Sequence, residues 1–100
     1  MSLFTVQYTY TDDTALRDQV RPAHRAYLGD LAAEGTVVLS GPLAPVEGQS
    51  DAALLVVRAE SAEDAAARLS SDPFQVNGVV ANIDVREWKP VLGELFAALG

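Results

Sequence analysis

One histidine, His24, and one aspartate set before a proline, Asp72, are the residues in this 100-residue chain whose types suit acid–base chemistry. An imidazole titrates closest to neutral pH of all side chains, so one held at the edge of an apolar layer is suited to proton transfer. Val20, His24, Tyr27, Leu28 and Leu31 recur at spacings of three and four, which puts His24 on the core-facing stripe of a helix and partly buries it. The same placement describes a packed core histidine with a backbone partner. Asp72 leaves a second helical segment at the break that Pro73 imposes, because the residue before proline is pushed out of the α region. If the two segments meet at one edge of the helical layer, the carboxylate fixes the imidazole tautomer, the arrangement of a general base and its orienting group. Read by itself, Asp72-Pro73 is equally a turn in which Asp72 bonds its own backbone.

The elements that must position these residues follow from hydrophobic period. Residues 3–10 alternate, with Phe4, Val6, Tyr8 and Tyr10 on one side, as a strand does. Turn and capping chemistry at 11–14 opens a short helical segment near Asp13, and Pro22 interrupts it, so the main helix is expected from Arg21 to Glu34, kinked rather than separate, with Gly35 as its C-terminal cap. Residues 36–40 read as a second strand that Gly41-Pro42 closes, and residues 44–51 as an exposed loop. Residues 52–59 are the most continuously apolar run, a strand central in the sheet. Ser61 and Asp64 form a shortened capping box for a helix through Leu69 that frays at Ser70-Ser71. Residues 79–88 alternate as a fourth strand, and Val91 to Leu99 carry apolar residues at helical spacing, a tail helix.

Strand, helix, strand, strand, helix, strand is the order of a ferredoxin-like βαββαβ sandwich of the α+β class, two helices on one face of a four-stranded antiparallel sheet. One domain over residues 1–100 is expected. The strands hold more apolar residues than two helices cover, which predicts a homodimer packed through its sheets, with the tail at the rim, the alternative being a monomer whose tail shields the sheet alone.

Composition removes several function classes. No cysteine is present, so disulfides, thiol nucleophiles and thiolate metal sites are excluded, and a single histidine forbids a histidine-rich metal site. Seven basic residues against fourteen acidic ones give a formal net charge of -7, which opposes binding to nucleic acid and to anionic membranes. No apolar run approaches the roughly 20 residues of a membrane span, and the N-terminus lacks the basic region of a signal peptide. A cytoplasmic protein is expected.

Four pieces carry a resemblance: Val20-Arg21-Pro22-Ala23-His24 with Tyr27-Leu28, Glu34-Gly35 running into Leu39-Ser40-Gly41-Pro42-Leu43, Asp72-Pro73-Phe74, and the strand ending in Trp88-Lys89-Pro90. In this order and spacing the chain resembles the YCII-related family over nearly its whole length. The resemblance implies a dimeric α/β-barrel type assembly of ferredoxin-like subunits in which the positions of His24 and Asp72 form a catalytic pair. It also implies a class of small enzymes that includes a dehydrochlorinase-type lyase acting on hydroxylated aromatic rings. The expectation is a cofactor-free, metal-free lyase or isomerase moving a proton on a small cyclic substrate. Arg21 would bind a substrate carboxylate or enolate, Ser40 and Gly41 would supply hydrogen bonds, and Tyr27 and Phe74 would wall the pocket. The alternative is a binding or accessory module that holds a metabolite in the same pocket without turnover.

Overall fold

The computed structural model describes residues 1–95. Seven elements follow in order: β1 (Ser2–Tyr10), α1 (Thr14–Ala33), β2 (Val37–Pro42), β3 (Ala52–Ala59), α2 (Ala62–Leu69), α3 (Pro73–Val76) and β4 (Val80–Trp88). The strands make one antiparallel sheet in the order β2-β3-β1-β4, so the apolar run of β3 is interior as its composition requires. Phe4, Val6, Tyr8 and Tyr10 of β1, with Ala53, Leu55, Val57 and Ala59 of β3, face the helices and pack with Leu28, Ala65, Leu69 and Phe74 into the core. The period-two alternation read from the sequence therefore separates a covered face from an open one.

The first helix differs from expectation. It is one continuous helix from Thr14 to Ala33 that runs through Pro22. Asp13 caps it, its Oδ1 accepting the Leu16 amide at 3.0 Å. Pro22 lies on the exposed side, where water can reach the Asp18 carbonyl left without its usual amide donor. The buried positions Arg17, His24 and Leu28 fall on both sides of the proline, so packing holds the helix together across it. At the far end Gly35, at φ +86°, donates to the Ala32 carbonyl, and Thr36 donates to that of Leu31, the paired bonds of a Schellman cap.

Three further expectations shift. The second strand does not stop at Gly41-Pro42 but contains both, because β2 is an edge strand on which a proline need not break the ladder. Its register slips between Val37 and Leu39, a bulge that keeps Val37 in the core and turns Leu39 to the open face beside Val56. The connector after α2 is a short helix, α3, with Asp72 as N-cap and Pro73 in its first turn. Residues 92–95 of the expected tail helix are bends and a turn, with Val91, Leu92 and Leu95 exposed, and residues 96–99 of that segment lie outside the described residues. Among the described residues, no helix is long and apolar enough to cross a membrane.

Candidate active site

Three elements converge on Asp72. The core-facing stripe of α1 brings His24, whose Nδ1 lies 2.8 Å and 3.0 Å from the two carboxylate oxygens. The covered face of β1 brings Tyr8, whose hydroxyl donates to Oδ2 at 2.8 Å. The start of α3 brings the Phe74 amide, which donates to Oδ1 at 3.0 Å. Asp72 is 0% exposed and His24 9%. A buried carboxylate is tolerated only when it is paired and its lone pairs are filled, and three donors meet that condition. The two readings of Asp72-Pro73 left open by the sequence are thus realised together: the carboxylate caps its own helix and also holds His24.

His24 is clamped in a second way. The Phe74 ring stacks on the imidazole with centroids 3.8 Å apart and planes within 6°. Phe74 in turn meets Tyr10 edge-on at 5.4 Å, and Tyr10 meets Tyr8 at 6.4 Å. With Nδ1 held by a carboxylate, the proton of the neutral imidazole sits on Nδ1 and the lone pair on Nε2. Nε2 has no hydrogen-bond partner among the described residues and is not sealed from solvent. It is therefore the free edge of the pair, the nitrogen able to take a proton from a bound molecule. Burial, then the neighbouring Asp72 charge, pushes the Tyr8 hydroxyl far above the usual tyrosine range, although the Gln75 hydrogen bond opposes the shift, so it donates to Asp72 as a neutral group.

The remaining candidate residues fall in different places. Phe74 forms part of the site. Tyr27 is half-buried on the same helix, but its hydroxyl donates to the Arg68 carbonyl at 2.6 Å and ties α1 to α2. Arg21 is also half-buried, one turn before His24, and its guanidinium pairs with Asp18 at 2.6 Å. Ser40 and Gly41 are exposed on edge strand β2, paired with Leu55 and Leu54, so that β3 lies between them and Tyr8. They share no contact with the His24–Asp72 pair.

Sequence reasoning missed four neighbours. Tyr8 and Tyr10 lie on the covered face of a strand, where a hydroxyl needs a buried partner, and that demand was legible in the alternation. Gln75 carried no such signal. Arg17 lies seven residues before His24 on the same buried stripe, a charged residue where an apolar one is expected. Its guanidinium sits 4.9 Å above the Tyr10 ring and donates to Asp51 at 2.9 Å. Its Nε is the single fully buried side-chain polar atom without a partner among the described residues.

Comparison with known proteins places this geometry. The YCII-related domain matches residues 3–89. Protein YciI of Escherichia coli O6:H1 is 33% identical over 86 residues, spanning 80% of this chain and 88% of that protein. Among solved structures, 5-chloro-2-hydroxyhydroquinone dehydrochlorinase from Burkholderia phenoliruptrix, in complex with 2,5-dihydroxybenzoquinone, superimposes with a TM-score of 0.71 at 26% identity, covering 87% of this chain and 93% of that one. SnoaB, a cofactor-independent oxygenase from Streptomyces nogalater, shares the fold at 15% identity with a TM-score of 0.52, covering 92% and 94%. The extent of these matches shows that the chain belongs to the YCII-related family.

Proposed function

We propose that the chain is a small cofactor-free enzyme in which His24 Nε2 is a general base, oriented by Asp72, acting on a hydroxylated cyclic substrate. The observation that carries this reading is the hydrogen bond from Nδ1 to a carboxylate that is wholly buried and already held by two other donors. A structural histidine needs no carboxylate so rigidly fixed, whereas a base needs its tautomer fixed and its imidazolium stabilised once it forms. Elimination or isomerisation follows from such a base. For loss of HCl from a chlorinated hydroquinone in its keto tautomer, where the chlorine-bearing carbon is sp3 and carries a hydrogen, Nε2 takes a hydroxyl proton, that O–H pair forms a carbonyl, the ring double bond shifts toward the chlorine-bearing carbon, and chloride leaves with its bonding pair. Phe74 walls the imidazole. Arg17 supplies positive charge beside the aromatic cluster for the anion that deprotonation creates, and Arg21, one turn from His24, extends that charge toward solvent. Tyr27, Ser40 and Gly41 would reach a substrate only at the margins of this site. The chain would act in the cytoplasm as a homodimer joined through the open sheet face, where Leu39, Leu54 and Trp88 are exposed.

Chloride release from 5-chloro-2-hydroxyhydroquinone tests the reading directly. The intact protein should release chloride, and His24→Gln, folded by circular dichroism, should lose roughly 10²–10⁴-fold, the usual contribution of general acid–base catalysis. Equal rates in the two proteins would end the proposal. Saturable binding of hydroxylated rings without turnover by either would favour the binding module instead.

A further inference from the structure

A second line of hydrogen bonds reaches Asp72 through Tyr8. Gln75 Nε2 donates to the Leu69 carbonyl at 2.8 Å and to the Tyr8 hydroxyl oxygen at 3.1 Å. Tyr8 then donates to Asp72 Oδ2 at 2.8 Å. The directions of these bonds follow from one fixed point. A backbone carbonyl only accepts, so the end of the Gln75 amide that faces Leu69 is the NH2 group. The second proton of that NH2 points at Tyr8, whose oxygen accepts it. The Tyr8 proton is then directed to Asp72, while the Phe74 amide proton occupies Oδ1. With donors on both carboxylate oxygens, the hydrogen shared with His24 belongs to Nδ1.

We infer that Gln75, acting through Tyr8, is a positioning residue that sets the proton order of the His24–Asp72 pair, holding Asp72 as an acceptor and leaving Nε2 as the basic nitrogen. The inference rests on the reading of His24 as the base, since proton order matters to function only there. Without that order, a proton drawn from solvent can settle on Asp72 and bridge to Nδ1, with the ring hydrogen on Nε2. Such an imidazole has no lone pair to offer a substrate. Gln75 suits the task because its one nitrogen carries two protons and can satisfy a carbonyl and a hydroxyl together. Glutamate in its place would present only acceptors and would draw the Tyr8 proton away from Asp72. Methionine would keep the bulk and remove the donors.

Nitrogen-15 NMR of the imidazole tests this on the full chain without any ligand, and a single histidine makes the assignment unambiguous. In the wild type, long-range proton–nitrogen correlations of the neutral ring should show a pyrrole-type Nδ1 and a pyridine-type Nε2. Gln75→Glu should move both signals toward the opposite tautomer, and Gln75→Met should produce a smaller shift in the same direction. Tyr8→Phe should give a shift to which Gln75→Met adds nothing, because the amide then has no hydroxyl to direct. Turnover in Gln75→Glu should fall by about tenfold or more, a part of what acid–base catalysis contributes. An unchanged wild-type pattern in Gln75→Glu overturns the inference, and so does an additive double variant. Either result leaves the base reading intact if His24→Gln still abolishes chloride release. Should His24→Gln release chloride at the wild-type rate, the base reading falls whichever way the tautomer moves.

Discussion

The two faces of the sheet solve opposite problems. On the covered face, Tyr8, Asp72 and His24 are buried and joined by directed hydrogen bonds, with a ring stacked on His24. On the open face, Leu39 is 68% exposed and Trp88 43%, and a groove of about 360 Å³ lies against the β2–β3 loop, lined by Gln7, Thr9, Leu43, Val46 and Asp51 among others. The site proposed for His24 lies on the other face, where a titratable side chain is held by a carboxylate whose own valences are filled. The open face mixes exposed apolar side chains with polar ones, Asn82 donating to Asp84 at 3.1 Å, and its apolar part is surface of the kind that suits packing against a partner.

The contrast is broken most severely by removing Asp72. In Asp72→Ala the Tyr8 hydroxyl, the Phe74 amide and His24 Nδ1 all lose their acceptor inside the core, and each orphaned buried donor costs about 1–3 kcal/mol. Losses of several kcal/mol in urea unfolding are expected. Asp72→Asn should cost less, since the amide oxygen still accepts while its NH2 opposes a donor. A loss under about 1 kcal/mol for Asp72→Ala would mean that water replaces the carboxylate and that the covered face is not sealed.

Alkaline pH probes the same face less harshly. The chain has three tyrosines. Burial, first, and the Asp72 charge raise all three above their ordinary value. A raised folded-state value means that the native chain keeps protons the unfolded chain gives up. The stabilisation is therefore full below the unfolded tyrosine value near ~10 and is lost as pH rises beyond it toward the folded values. Phenolate absorbance should appear together with loss of circular dichroism, and Tyr8→Phe should flatten the alkaline limb of stability. Phenolate formation at the ordinary tyrosine value in a fully folded chain would contradict this burial.

Much of this arrangement was legible from residue pattern, and the failures have physical causes. The stripe Val20, His24, Leu28 gave the buried face of α1 because helical period does not depend on context. Pro22 misled, since its cost depends on which side of the helix it faces, and sequence period does not reveal that a proline sits where water can reach the freed carbonyl. The bulge at Val37–Leu39 was invisible for a similar reason: it is fixed by pairing with β3, not by local propensity. His24 and Asp72 were named as partners without a distance, but Tyr8 and Gln75 complete the set only through the register of β1 and the turn of α3. The separation of Ser40 and Gly41 from Tyr8 by β3 was not legible, because strand order is set by pairing between distant segments.

The gentlest break is on the open face. Leu39 on β2 and Leu54 on β3 are exposed there, two strands and one strand from Tyr8, and on the other side of the sheet from His24. Replacing Leu39 by serine removes little buried area from a single chain, and surface changes of this kind shift stability by about 0.5 kcal/mol or less, whereas Leu54, 36% exposed, loses more. If these side chains meet a second copy, the effect appears instead in assembly. Light scattering of the wild type across micromolar concentrations should give twice the 10.6 kDa chain mass. The Leu39→Ser, Leu54→Ser double variant should move toward the single-chain mass, while its imidazole nitrogen signals stay as in the wild type because the covered face is untouched. A wild type that remains at 10.6 kDa throughout would remove the dimer. A variant that stays dimeric would move the interface elsewhere on the surface. Disturbed His24 signals in a variant that folds normally would show instead that the two faces are coupled through β1 and β3, and that the division between a reacting face and a packing face is less complete than the hydrogen bonds suggest.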